Sequence, residues 1–186
     1  MDQYKVREKS LPQQISIGII CGIILLPVMI FYLVQNYIIA EPLPLGSTVP
    51  SAIISTMNGE CVRTDSLLKQ KGIFVFFSPT CSHCEHLLVS LEILYKQYEE
   101  YFQLYAISNG TMSMTREFIM RNNLSVPILL DTIGNVRKLY KVSVVPAIFF
   151  IDASKVLTEY RTGEIKNEQL AELLNLFQRT GNTKNQ

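Results

Sequence analysis

The sequence predicts an α/β protein in which helices cover both faces of a mixed central sheet, preceded by one N-terminal membrane-spanning helix. Three observations predict it: an uncharged apolar run from Ile15 to Val34, a fully apolar stretch from Gly72 to Phe77, and an alternation of short strands with amphipathic helices after residue 48. A chain of 186 residues with 48% hydrophobic content has room for one ordinary domain beside that apolar run.

The N-terminal run is long enough to cross a bilayer as a helix. Lys5, Arg7 and Lys9 precede it and Glu41 follows it, so the positive-inside rule places the N-terminus in the cytoplasm and the rest of the chain outside. A cleaved signal peptide is the alternative, but its apolar region usually spans only about 7 to 15 residues. The predicted divisions are a cytoplasmic N-terminus (1–13), a transmembrane helix acting as signal anchor (14–37), a proline-rich linker (38–47), the folded domain (48–180) and a disordered tail (181–186).

The folded domain is predicted to open with a hairpin around the turn Asn58-Gly59. Apolar runs bounded by turn residues predict strands, and apolar residues at helical spacing predict helices. The strands are expected at 52–54, 61–63, 72–77, 103–108, 126–130, 147–152 and 157–161, and the helices at 65–70, 84–102, 113–122, 136–140 and 166–178.

Two thiols stand one helical turn apart in Cys81-Ser82-His83-Cys84, where the central strand gives way to a helix. Unpaired backbone N–H groups and the helix dipole at that position favour a thiolate at Cys81, which is therefore the predicted nucleophile. Cys84 lies on the buried stripe of the helix and is the predicted resolving thiol. Thiolate attack on a disulfide and release by the second thiol is the chemistry that this pair indicates.

A metal site is the competing interpretation of the same residues. Zinc normally needs four Cys or His ligands, but Cys21, Cys61, Cys81 and Cys84 are the four cysteines and only two histidines occur. His86 lies roughly 200° around the helix from Cys84, so no metal and no cofactor is predicted. Cys21 is expected to face lipid or neighbouring side chains, and Cys61 to be a half-buried strand residue rather than a third redox partner. The three methionines near the fourth helix, Met112, Met114 and Met120, are expected to be packing residues rather than copper ligands.

Pro146 begins a predicted strand after Val144-Val145. Proline at a strand start removes a ladder donor and often marks special backbone geometry. Because a C-x-x-C pair precedes it in the chain, the Val145–Pro146 bond is predicted to be cis, although most X–Pro bonds are trans.

These motifs resemble the thioredoxin superfamily, and in particular the membrane-anchored TlpA and ResA type of redoxin in the AhpC/TSA-like group. The likeness extends over residues 46–178 and is carried by four stretches, namely 46–50, 57–60, 81–84 and 145–152. Thr80 stands where the family usually has tryptophan. The segment 77–81, which leads to the first cysteine, is similar to the corresponding segment of MauD, a protein of methylamine utilisation. The resemblance implies that the cis-Pro146 loop packs against the dithiol and docks substrate backbone. It also implies that His83, as in DsbA proteins, stabilises the Cys81 thiolate.

The resemblance implies an extracytoplasmic, membrane-tethered thiol-disulfide oxidoreductase that reduces, or alternatively forms, disulfides in exported proteins. Expected partners are apocytochromes c, other secreted dithiol proteins or one dedicated protein, together with a membrane electron donor or a re-oxidant. A formal net charge of +1 argues against nucleic acid as a partner. A copper or zinc chaperone of the Sco type remains an alternative, although no histidine follows His86. A peroxiredoxin-like peroxidase is another, although Ser78 stands where its threonine would be expected.

Overall fold

A computed structural model describes residues 13–33 and 43–180. The predicted cytoplasmic N-terminus up to residue 12, the end of the predicted span (34–37), the first half of the linker (38–42) and the tail 181–186 lie outside the described residues. The chain divides into two compact units, residues 1–40 and residues 41–186.

The first unit contains helix α1, Gln13–Leu33, with Pro27 inside it. Its side chains are described from Gly22 onward, and there they are exposed and largely apolar. Within the part of the chain that the structure describes, no helix is both long and apolar enough to span a membrane.

The second unit is a seven-stranded mixed sheet with helices on both faces, as predicted. The strands lie in the order β2-β1-β5-β4-β3-β6-β7. In chain order the elements are β1 Ile53–Thr56, β2 Cys61–Arg63, α2 Thr64–Leu67, β3 Gly72–Phe77, α3 Ser82–Tyr95, β4 Gln103–Ser108, α4 Met112–Asn122, β5 Ile128–Leu130, α5 Asn135–Leu139, β6 Ala147–Ile151, β7 Leu157–Thr162 and α6 Asn167–Arg179. Strand β3 runs parallel to β4 and antiparallel to β6, so it is central to the sheet.

Strand β3 is buried along its whole length because both of its faces are covered. Successive side chains of a strand point to opposite faces, so its residues divide between two cores. Ile73, Val75 and Phe77 pack with the apolar faces of α3 and α6. Phe74 and Phe76 pack on the other face with α5 and with the ring of Tyr140. The apolar run of β3 is thus the layer between the two cores.

Helix α3 is shorter than predicted, because it ends at Tyr95 rather than near residue 102. The amide groups of Gln97 and Tyr98 donate to carbonyls only three residues back, which closes turns instead of continuing an α-helix. Tyr98 and Phe102 still pack in the core, with stacked rings 5.6 Å apart. Tyr98 and Phe102 therefore continue the apolar spacing of the helix in the sequence, although they lie in turns that follow it.

Strand β5 begins at Ile128 rather than at 126. Pro127 has no N–H to donate to a ladder. The amide of Val126 instead donates to the Glu92 carboxylate at 3.0 Å, together with the amide of Ser125 at 2.8 Å and the Ser125 hydroxyl. Glu92 thus ties α3 to the segment that leads into β5.

We expect Glu92→Gln to lower the free energy of unfolding by about 1 kcal/mol at pH 7, a value reduced for the partial exposure of the carboxylate. Burial acts to raise the pKa of Glu92, but the hydrogen bonds from Ser125 and Val126, together with the nearby charge of Lys96, outweigh it and leave this pKa below its ordinary value. A lowered carboxyl pKa stabilises the fold above the ordinary glutamate range, and the contribution is lost as the pH falls from that range through the lower pKa of the folded state.

Urea unfolding of wild type and variant, at pH 7 and at pH 3, checks this expectation for Glu92. The stability difference between the two proteins should be smaller at pH 3 than at pH 7. The exposed Glu100 supplies the control variant Glu100→Gln, which should match wild type at both pH values. A Glu92→Gln deficit that persists undiminished at pH 3 would contradict the assigned role of the carboxylate.

Candidate active site

Cys81 is the N-cap residue of α3, with extended backbone at φ −101° and ψ 115°. Its amide donates to the carbonyl of Ser78 at 3.1 Å, which closes the turn between β3 and α3. Its sulfur accepts a hydrogen bond from the amide of Cys84 at 3.3 Å. The predicted location of Cys81 at the start of the helix is confirmed, and its side chain is half-buried.

Cys84 is fully buried beneath Cys81 and packs in the core with Leu87, Leu88 and Leu91 of the same helix. This confirms its predicted location on the buried stripe. Burial first, and then the hydrogen bond with Cys81, raise the pKa of the Cys84 thiol to about 12. The pair therefore combines one accessible and one sheltered thiol.

The loop before β6 lies against this pair. The Val145–Pro146 peptide bond is cis, as predicted. Cys81 Sγ donates to the carbonyl oxygen of Val145 at 4.0 Å, and the Pro146 carbonyl accepts from the amide of Gly163 at 2.9 Å. Residues far apart in the sequence thus meet at Cys81, whose sulfur lies against the residue before Pro146.

His83 is exposed and turned toward the segment between β7 and α6. Its Nδ1 lies 3.6 Å from Oε2 of Glu164. With His86, Glu85 and Lys166, these two residues line a groove of about 510 Å³ beside the first turns of α3. The effect of His83 on the Cys81 thiolate stays a prediction, and the structure adds Glu164 as its charged neighbour.

Two expectations about sulfur-containing residues outside the pair are wrong. Cys61 is exposed on β2, at the edge of the sheet, rather than half-buried. Met112, Met114 and Met120 are exposed as well, because the buried face of α4 is formed by Thr115 and Phe118. Among the residues that the structure describes, no group of three or more Cys, His, Asp or Glu side chains is arranged to hold a metal ion.

Sequence reasoning missed three residues that shape the site. Gly163 holds the Pro146 carbonyl, and the only sequence signal for it is a glycine between a strand and a helix. Gly110 lies close to Pro79, two residues before Cys81. Arg137 binds the loop that leads to Pro146, and nothing in the sequence distinguishes it from other surface arginines.

Comparisons with known proteins agree with this geometry. The AhpC/TSA family matches residues 45–160. The ResA thiol-disulfide oxidoreductase of Bacillus thuringiensis subsp. konkukian (strain 97-27) is 30% identical over 149 residues, which cover 77% of this chain and 85% of that protein.

Two solved structures share the fold. A DsbE thiol:disulfide interchange protein from Chlorobium tepidum superimposes with a TM-score of 0.66 at 18% identity, over 73% of this chain and 98% of that one. The peroxidoxin BcpB of Mycobacterium tuberculosis superimposes with a TM-score of 0.64 at 18% identity, over 73% of this chain and 96% of that one. At these identities the likeness shows a thioredoxin-like fold, which serves both kinds of protein. Family match and relative together show that the chain belongs to the AhpC/TSA family, among the ResA-type thiol-disulfide oxidoreductases of the thioredoxin superfamily.

Proposed function

We propose that this protein reduces disulfide bonds in exported proteins by thiol-disulfide exchange at Cys81 and Cys84, outside the cytoplasm and tethered to the membrane. The observation that carries the proposal is the pairing of a half-buried thiol at the helix start with a fully buried thiol beneath it, next to the cis-Pro146 loop. An accessible nucleophile with a sheltered resolving thiol is the arrangement that exchange requires.

The reaction proceeds in two exchanges. The Cys81 thiolate attacks one sulfur of the substrate disulfide, forming a mixed disulfide and releasing the other substrate sulfur, which takes a proton from solvent. Cys84 then attacks Cys81 Sγ and forms the Cys81–Cys84 disulfide, while its proton passes to the departing sulfur, which leaves as the second substrate thiol. Two electrons pass from the protein to the substrate, so an external reductant must restore the dithiol after each cycle.

The raised pKa of Cys84 sets the order of these two exchanges. A thiol with a pKa of about 12 is protonated at neutral pH, and its burial also keeps substrate sulfur away from it. Cys84 therefore reacts only with a disulfide already formed on the adjacent Cys81. This supports the assignment of Cys81 as nucleophile and Cys84 as resolving thiol.

The membrane tether is proposed from the sequence of the N-terminal unit. The uncharged run that includes α1, with its flanking basic residues, favours a single span with the N-terminus in the cytoplasm. A tethered domain would meet substrates, such as apocytochromes c or one dedicated partner, at the extracytoplasmic face of the membrane. It would receive electrons from a membrane donor. Two results would support this topology. The protein should stay in the membrane pellet after alkaline carbonate washing, and protease added outside the cell should digest its C-terminus. Release by the carbonate wash would refute the tether.

The proposed activity is tested by mixing the pre-reduced full chain with insulin and following loss of insulin disulfides. Stoichiometric reduction, with formation of the Cys81–Cys84 disulfide, is the expected result. The direction is tested by the reduction potential: a value near or below about −250 mV supports a reductase, whereas a value near about −120 mV supports the oxidase alternative.

We expect His83→Ala to lower the reduction potential of the pair by less than about 20 mV. A cationic imidazole near Cys81 would stabilise the reduced form and raise the potential, by about 30 mV for each 1.4 kcal/mol. The effect should be small because His83 is solvent-exposed, and interactions between exposed charged groups contribute at most about 1 kcal/mol.

Equilibration against dithiothreitol buffers, followed by alkylation and mass spectrometry, measures the shift caused by His83→Ala. His86→Ala is the matched control, because His86 also lies on α3 and lines the same groove. It should leave the reduction potential at the wild-type value. A fall of 100 mV or so in His83→Ala would show that His83, despite its exposure, is a principal determinant of the potential.

A further inference from the structure

We propose that Arg137 is a positioning residue for thiol-disulfide exchange, which holds the loop between α5 and Pro146 in the conformation that meets a protein substrate. This inference rests on the proposed function. The Arg137 guanidinium donates from Nε to the Val142 carbonyl at 2.9 Å and from Nη2 to the Ser143 carbonyl at 3.0 Å. The amide of Val142 donates in turn to the Arg137 carbonyl at 2.9 Å. One residue therefore binds the loop at three points.

The loop that Arg137 holds has little regular structure of its own. It leaves α5 through Lys141, whose φ of 52° lies in the left-handed region, and reaches the cis bond at Pro146. Between these points Val142 is buried, whereas Ser143 and Val144 are exposed. A rigid, planar guanidinium that bonds two successive carbonyls restricts such a segment more than a single hydrogen bond can.

Arg137 is itself fixed to the sheet. Asp131 follows β5 directly and is buried, and its carboxylate accepts from the amide of Val136 at 3.1 Å and from the amide of Arg137 at 2.7 Å. The start of α5 is thereby tied to the end of a core strand. The side chain of Arg137 extends this fixed point to the loop, whose Val145 carbonyl lies 4.0 Å from Cys81 Sγ.

This arrangement predicts a difference between large and small substrates. Val144, with 54% of its surface exposed, lies one residue before Val145, so a protein that delivers a disulfide to Cys81 must also meet this segment. A small disulfide such as cystamine needs access to Cys81 alone. Loosening the loop should therefore weaken the binding of a protein substrate and leave the sulfur chemistry intact.

The test compares Arg137→Met and Arg137→Lys with wild type, using insulin as the protein disulfide, cystamine as the small one and dithiothreitol as the reductant that restores the dithiol. Losing two hydrogen bonds to carbonyls should raise KM for insulin roughly tenfold in Arg137→Met, with kcat and the cystamine rate within about twofold of wild type. Arg137→Lys can bond one carbonyl at a time and should raise KM about threefold. Arg63→Met, which removes an exposed arginine paired with Asp65, is the matched control and should change neither rate.

An unchanged KM for insulin in a folded Arg137→Met protein would overturn the inference, and so would an equal fall in the insulin and cystamine rates, which would show general disruption. If Arg137→Met unfolds below the assay temperature, Arg137→Lys decides the question by its own KM. The proposed function fails separately: wild type would then reduce neither insulin nor cystamine. If wild type is active and neither Arg137 variant changes KM for insulin, this inference fails while the proposed function stands.

Discussion

Replacing Cys81 with serine is expected to abolish disulfide reduction, whereas replacing Cys84 with serine is expected to stop the reaction at the mixed disulfide. A hydroxyl at position 81 cannot attack sulfur, because the thiolate is the nucleophile in exchange. Serine at position 84 leaves the first exchange intact but removes the thiol that releases the substrate. The Cys84→Ser protein should therefore accumulate covalently bound substrate, and wild type should not.

Mass spectrometry of each variant after incubation with insulin, without added reductant, detects this adduct. The control is Cys61→Ser, which removes the exposed thiol of β2 and should reduce insulin at the wild-type rate. Full activity in Cys81→Ser would contradict the assignment of the nucleophile. An adduct that forms equally in Cys81→Ser and Cys84→Ser would contradict the division of roles between the two thiols.

Gly110→Ala is expected both to destabilise the fold and to slow the reaction of Cys81. An added Cβ at this buried position would lie 2.6 Å from Cγ and 2.9 Å from Cδ of Pro79, and 3.3 Å from Oγ1 of Thr115. A proline ring cannot rotate away, so the backbone near Pro79 must shift. Overpacking of this kind costs about 1 to 3 kcal/mol, and here the shift is two residues from the nucleophile.

Urea unfolding and the rate of cystamine reduction, measured on the same Gly110→Ala preparation, check both effects. Gly59→Ala is the matched control, because Gly59 has a φ of 85° at the hairpin turn and no atom near its added Cβ. It should lose stability through backbone strain but keep the wild-type rate. A Gly110→Ala protein with wild-type stability and rate would show that the turn before Cys81 tolerates displacement.

Features fixed by short stretches of sequence were predictable. The apolar run of β3 predicted a strand covered on both faces, and the C-x-x-C pair predicted one thiol at the helix start and one buried beneath it. Both follow from local periodicity and spacing. The cis bond at Pro146 was predicted as well, because a strand-initial proline was considered together with the cysteine pair.

Contacts between distant parts of the chain were not predictable in the same way. The contact of His83 with Glu164 and the hydrogen bond from Gly163 to Pro146 depend on the register in which β7 pairs with β6, and the short turn predicted between these strands does not specify that register. The exposure of Met112 shows the opposite failure: an apolar side chain near a helix start need not face the core. Sequence patterns locate elements, whereas register and packing decide which residues surround the thiols.

The two alternative functions make different demands on the same residues. A metal chaperone predicts zinc or copper retained in stoichiometric amount through purification and lost in Cys84→Ser. A peroxidase of the peroxiredoxin type needs a threonine three residues before its reactive cysteine, and Ser78 occupies that position before Cys81. The shared fold with a peroxidoxin therefore does not by itself extend peroxidase activity to this chain.

The reduction potential of the Cys81–Cys84 pair tests the central claim most directly. The purified chain would be equilibrated with dithiothreitol and glutathione buffers, quenched by alkylation and resolved by mass. The account predicts one reversible two-electron transition that involves both cysteines, with a midpoint near or below about −250 mV. A midpoint near about −120 mV, or the absence of any reversible couple between Cys81 and Cys84, would contradict it.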